Sequence, residues 1–203
     1  IDKGIHLTLN SGKPISSPIA NLPIVRYDGT FWKSPIKTPF FYFICKPEWK
    51  EWVYCEFKKQ IDKLLSMKIE ITHLDSHFHI HVFPGISDIV TKLVKEYNIP
   101  YVRRPYESSV KKKILNPIYG LISYFSKKCF SLIYAKYLPF YGLTEAGHIN
   151  KDSLVAILDT IKTETAEIMV HPGYNSPENM NYYSKETNHF ECELEAVTNK
   201  YII

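Results

Sequence analysis

The chain has 203 residues, enough for one sizeable core, and the expectation is a single domain over 1–203. With 45% hydrophobic and 23% charged residues the composition is that of an ordinary globular protein. The net charge of +4 is too small to point to a nucleic-acid partner, and no apolar run is long enough to span a bilayer.

The elements follow in chain order. "IDKGIHLTLNSGKP" alternates polar and apolar residues and ends on a turn signal, which predicts a strand. Residues 14–47 are proline-rich and irregular, with "YDGTFWKSP" as a hairpin or excursion. From Glu48 to Met67, Trp49, Trp52, Val53, Phe57, Ile61, Leu64 and Leu65 recur at helical spacing. "IEITHLD" predicts a short strand, Gly85–Tyr97 a second helix, and "IPYVRRP" another short strand.

Residues 107–142 are basic, aromatic and interrupted by Pro117 and Pro139. They are expected to form one or two helices as an inserted lid, with a membrane-surface helix as the rival reading. Lys151–Lys162 predicts a helix, "AEIMVHPG" a buried strand, and 186–199 a final helix. Strands alternating with helices predict a parallel α/β architecture. The cysteines (Cys45, Cys55, Cys129, Cys192) are scattered with no CxxC, which predicts reduced, mostly buried thiols.

Three of these strands end in histidine: "GIHLTL", "THLDSHFHIH" and "MVHPGY". Ligand sites in parallel α/β folds gather at the carboxyl ends of strands. His73, Asp75, His77, His79 and His81 all occupy odd positions. An extended chain would turn all five to one face, where imidazoles and a carboxylate suit a divalent metal. A turn after Asp75 would leave one or two as ligands and the rest as supporting or structural residues.

Singly, each histidine has a plainer explanation. His6 fits a core position, His73 packing, His81 a closed loop, and His171 a turn before Pro172. Arg103 and Arg104 follow a strand end and suit either a carboxylate partner or a surface ion pair. No nucleophile elbow, P-loop or dinucleotide fingerprint occurs.

"GIHLTLNSGKP", "THLDSHFHIHVFP", "IPYVRRP" and "EIMVHPGY", in this order and spacing, resemble the YdjC/ChbG-type carbohydrate deacetylases. The resemblance runs from about Asp2 to near the carboxyl end and is weak in 33–60 and 107–145. It implies a distorted TIM-like β/α barrel, a divalent metal (magnesium or zinc), and hydrolysis of the N-acetyl group of N-acetylglucosamine-type sugars. A homodimer is also expected on this basis. A cytoplasmic location is expected separately, with no signal peptide read in the sequence. The family's two metal-binding histidines map to His6 and His77. His79, Arg103 or Arg104, and His171 match other polar positions around the pocket.

One departure is large. The family pattern opens on a strand ending Asp-Asp-Phe-Gly, which supplies a metal ligand and the general base. No such motif occurs here, so the expectation is a barrel incomplete at its amino end. Asp75 is the carboxylate that would partly substitute. His171 would protonate the departing amine, Arg103 or Arg104 would orient the base or stabilise charge, and Trp32 and Tyr174 would offer sugar platforms. Two other readings stand beside this one: an amidohydrolase-type metal hydrolase, and a non-catalytic sugar- or metal-binding relative.

Overall fold

A computed structural model describes residues 2–19, 22–33, 47–107, 117–129, 138–176 and 189–200. The chain divides into two units, Ile1–Arg104 with Leu121–Tyr137, and Pro105–Gly120 with Leu138–Ile203.

The first unit is built on three short parallel strands, β1 (Gly4–Leu7), β2 (His73–Ser76) and β3 (Tyr101–Val102), in the order β1-β2-β3. Register pairs Gly4 with His73, His6 with Asp75, and His73 with Tyr101. α1 (Pro47–Ser66) connects β1 to β2, and α2 (Ile86–Glu96) connects β2 to β3. Parallel strands need such crossovers, and the apolar stripes of the two helices cover the sheet.

The core joins Ile5, Leu7 and Leu74 of the strands to Trp52, Val53, Phe57 and Ile61 of α1 and Ile86, Val90, Leu93 and Val94 of α2. These are residues of the predicted stripes, except that Leu65 faces outward. The loop after β1 returns through a bridge between Val25 and Phe31, with Phe31 buried against Trp52.

Gly4 is required by its neighbour. A Cβ there would lie 2.2 Å from the His73 ring.

In the second unit, β4 (Phe140–Tyr141) pairs in parallel with β5 (Glu167–Ile168). α4 (Lys151–Thr160) starts on an Asn150–Ser153 capping box and packs with α5 (His189–Thr198) around Ile149, Leu154, Ile157 and Ala196. The predicted strand "AEIMVHPG" forms a ladder only at Glu167–Ile168, both half-buried.

The α/β class with parallel strands is as expected. The described residues form open sheets of three and two strands, and no closed barrel is present among them. Within the expected lid, 117–129 form α3 (Pro117–Cys129), while 108–116 and 130–137 lie outside the described residues. No helix among the described residues is long and apolar enough to cross a membrane.

The expectation of buried thiols fails at Cys55 and Cys192, which are free and exposed. Cys55 falls between Trp52, Val53 and Glu56 on α1 and points away from the face they bury. Cys45 and the Cys129 side chain lie outside the described residues.

Candidate functional site

The carboxyl ends of β1, β2 and β3 set the site of the first unit. β1 carries His6 and β2 carries Asp75 directly opposite it in register. The backbone then leaves the extended state. His77–Val82 is a 3-10 segment in which Phe78 and His79 take φ of 52° and 53°. Two successive non-glycine residues in the left-handed region are strained, by about 1 kcal/mol or more each. The turn ends the odd-position alternation. His77 stays at the rim, half-buried, while His79 and His81 are buried.

The side chains then form a connected series. His6 Nδ1 lies 2.6 Å from Asp75 Oδ1, and the Arg103 guanidinium pairs with Asp75 Oδ2. Both carboxylate oxygens are engaged. Because Nδ1–H donates to the carboxylate, His6 Nε2 carries the free lone pair. That nitrogen faces His77 Nδ1 at 3.4 Å.

Burial alone raises the Asp75 carboxyl, but the His6 hydrogen bond and the His6 and Arg103 charges outweigh it and hold it well below the usual carboxylate range. Burial, with the His81 and Arg103 charges, pushes His79 well below the ordinary imidazole value. Burial pushes His81 down to about 4, against the hydrogen bond to Arg103 and the Asp75 charge, which raise it.

The spacing of the two exposed nitrogens bears on the implied metal. Two nitrogens held tetrahedrally at about 2.1 Å from one zinc ion lie about 3.4 Å apart. The carboxylate behind His6 is the usual partner of a metal-ligating imidazole. The pair therefore fits two ligands of a site. Among the described residues, no group of three or more His, Cys, Asp or Glu side chains converges as a complete one.

The strand end that bears His6 is braced from α1. Gln60 binds both backbone groups of Thr8, accepting from its N–H at 3.0 Å and donating to its carbonyl at 2.9 Å. Glu56, fully buried, accepts from the N–H groups of Ile15 and Ser16 at 3.0 and 2.6 Å. Neither residue stands out in the sequence, because an acid or amide in an amphipathic helix reads as solvent-facing.

Thus His6, Asp75, His77 and Arg103 come together, with His79 and Arg104 on the same loops. His171 and Tyr174 belong to the second unit. There the His171 N–H donates to the buried Glu193 carboxylate, whose Oε2 also lies 3.8 Å from His171 Nδ1. Tyr174 is exposed. His148 is also exposed, and the His189 side chain lies outside the described residues.

The chain is 30% identical over 98% of its length to a carbohydrate deacetylase of Thermoanaerobacter pseudethanolicus, covering 70% of that protein. It is likewise 30% identical over 98% of its length to a carbohydrate deacetylase of Clostridium beijerinckii, covering 71% of that protein. A solved structure described as a cellobiose-phosphate cleavage protein, from Enterococcus faecalis, superposes over 100% of this chain and 71% of its own. The TM-score is 0.74 at 22% identity, a likeness that speaks to the fold. The profile of the YdjC-like protein family matches residues 1–202, and the chain belongs to that family.

Proposed function

We propose that this chain is a metal-dependent deacetylase that hydrolyses the N-acetyl group of N-acetylated carbohydrates, N-acetylglucosamine oligosaccharides or glycolipids among them. The observation that carries the reading is the facing pair of His6 Nε2 and His77 Nδ1, with Asp75 behind His6. Its support is the family and the relatives named carbohydrate deacetylases.

In this reading His6 and His77 hold a divalent ion, magnesium or zinc. Such an ion supplies Lewis acidity toward an amide carbonyl and toward water. Asp75 keeps the proton on His6 Nδ1, so that Nε2 faces the ligand side. With both oxygens engaged and its carboxyl held far below the usual range, Asp75 orients an imidazole rather than accepting a proton. Arg103 fixes Asp75 and balances its charge. His79 and Arg104 are assigned supporting contacts.

The test is acetate release from N-acetylated oligosaccharides by the protein, with magnesium, zinc or chelator. Metal-dependent acetate release supports the proposal. Metal and sugar binding without acetate release across a panel of N-acetylated glycans rejects it in favour of a non-catalytic binding relative.

A further inference from the structure

We infer that His81 is a positioning residue for this site: its imidazole fastens the turn that carries His77 to the strand end that carries Arg103. Only the kinetic part of the test below rests on the deacetylase reading.

His81 is completely buried and follows Ile80 and precedes Val82, both also completely buried. A polar side chain at such a depth needs partners for its polar atoms. The Ser76 hydroxyl accepts from the His81 backbone N–H at 3.0 Å and lies 2.6 Å from Nδ1. Nε2 lies 2.9 Å from the Arg103 carbonyl oxygen. A carbonyl only accepts, so Nε2 carries the proton. Nδ1 is then the acceptor, and Ser76 donates to it. Two partners fix one tautomer.

Two structural needs are met by this one ring. β3 ends at Val102, and the next residue, Arg103, donates from its N–H to the Leu74 carbonyl at 2.9 Å. Its own carbonyl accepts from His81 Nε2 at 2.9 Å. Arg103 is then held on both sides of its Cα, and from there its guanidinium reaches Asp75. At the other end, Ser76 and His81 close the turn that contains the left-handed Phe78 and His79. Closure holds the strained backbone in the shape that presents His77 to His6.

The first measurement needs no substrate. Nitrogen-15 spectra of the wild-type imidazoles are expected to show His81 protonated at Nε2 only, with that proton slow to exchange. A proton on Nδ1, or a rapidly exchanging Nε2–H, overturns the inference even if the protein releases acetate. It stands or falls separately from the deacetylase reading.

The second measurement compares His81→Leu, which keeps volume without a donor, with His81→Gln, whose amide donates at similar reach. His81→Leu is expected to shift the His6 Nδ1–H resonance and to lower kcat for acetate release by about tenfold or more, with KM within about twofold. His81→Gln is expected to restore most of both. In an Arg103→Ala background, His81→Leu is expected to change kcat no further. An unshifted His6 resonance in folded His81→Leu, or equal losses in the Leu and Gln variants, overturns the positioning role. Should His81→Leu fail to fold, His81→Gln decides. A His6 resonance like the wild type supports the inference, and one displaced as in a free imidazole overturns it.

Discussion

His6 Nδ1 and Asp75 Oδ1 stand 2.6 Å apart across paired positions of two parallel strands. Strand register alone brings them together, without help from a loop. That gives the His6 imidazole a fixed tautomer, set by Asp75.

Asp75→Asn keeps the shape of the side chain and removes its charge. The expected result is a metal affinity lower by about 10- to 100-fold, with the folded far-UV spectrum retained. His6→Ala and His77→Ala should each lose more. Titration calorimetry with zinc checks all three. An Asp75→Asn affinity equal to wild type rejects the orienting role.

The contact between Gly4 and His73 makes a second prediction. A methyl group on residue 4 lies 2.2 Å from a ring whose Nδ1 is also 3.0 Å from Thr72 Oγ1. Either the ring swings out and loses that partner, or the strands separate. Gly4→Ala is expected to destabilise the protein by about 1–3 kcal/mol, and His73→Ala in the same chain to relieve most of it. Urea unfolding of the two single variants and the double variant checks this. Additive losses would show that the ring is free to move aside.

The buried histidines set the acid response. His81 is held down to about 4, against about 6.5 in the unfolded chain. Between those values the unfolded state binds a proton that the folded state refuses, so stability falls as pH is lowered through this window. The slope from His81 alone is about 1.4 kcal/mol per pH unit. His79 adds in the same direction. Asp75 is lowered too, so its stabilising contribution is present above its ordinary value and is lost only as pH falls below about 4. Urea midpoints in chelator from pH 7.5 to 4 should therefore fall steadily, and less steeply in His81→Gln. A flat profile above pH 5 contradicts the buried neutral state.

Much of this arrangement is legible in the sequence. Helical spacing locates α1, α2 and α4: α1 and α2 each bury an apolar stripe, and α4 buries Leu154 and Ile157 while Leu158 is exposed. Histidines placed at strand ends point to a site there, and the family resemblance, not the placement, singles out His6 and His77. The turn at His77–Val82 was not legible in its shape. Alternating His-Phe-His-Ile-His has the period of a strand, and only the Ser76–His81 closure shows why it coils instead. Buried acids were also hidden. Glu56 and Glu193 are buried acids within helices, and each accepts from backbone N–H groups that no residue pattern announces.

Glu193 offers the sharpest check of such a hidden acid. Its carboxylate is completely buried and accepts from two backbone donors, the N–H of Ile149 at 3.3 Å and the N–H of His171. It ties α5 to the segment after β5 that presents His171. Glu193→Gln keeps one acceptor oxygen and turns an amide N–H₂ toward donors. Hydrogen bonds to a charged group are worth about 1.5–3 kcal/mol, and a loss of that size is expected in unfolding free energy. The residue-level signature is more decisive than the total. Amide hydrogen exchange should accelerate at Ile149 and His171 while amides such as Leu74 and Val102 in the first unit keep their rates. Unchanged exchange at both positions would mean that another acceptor serves them.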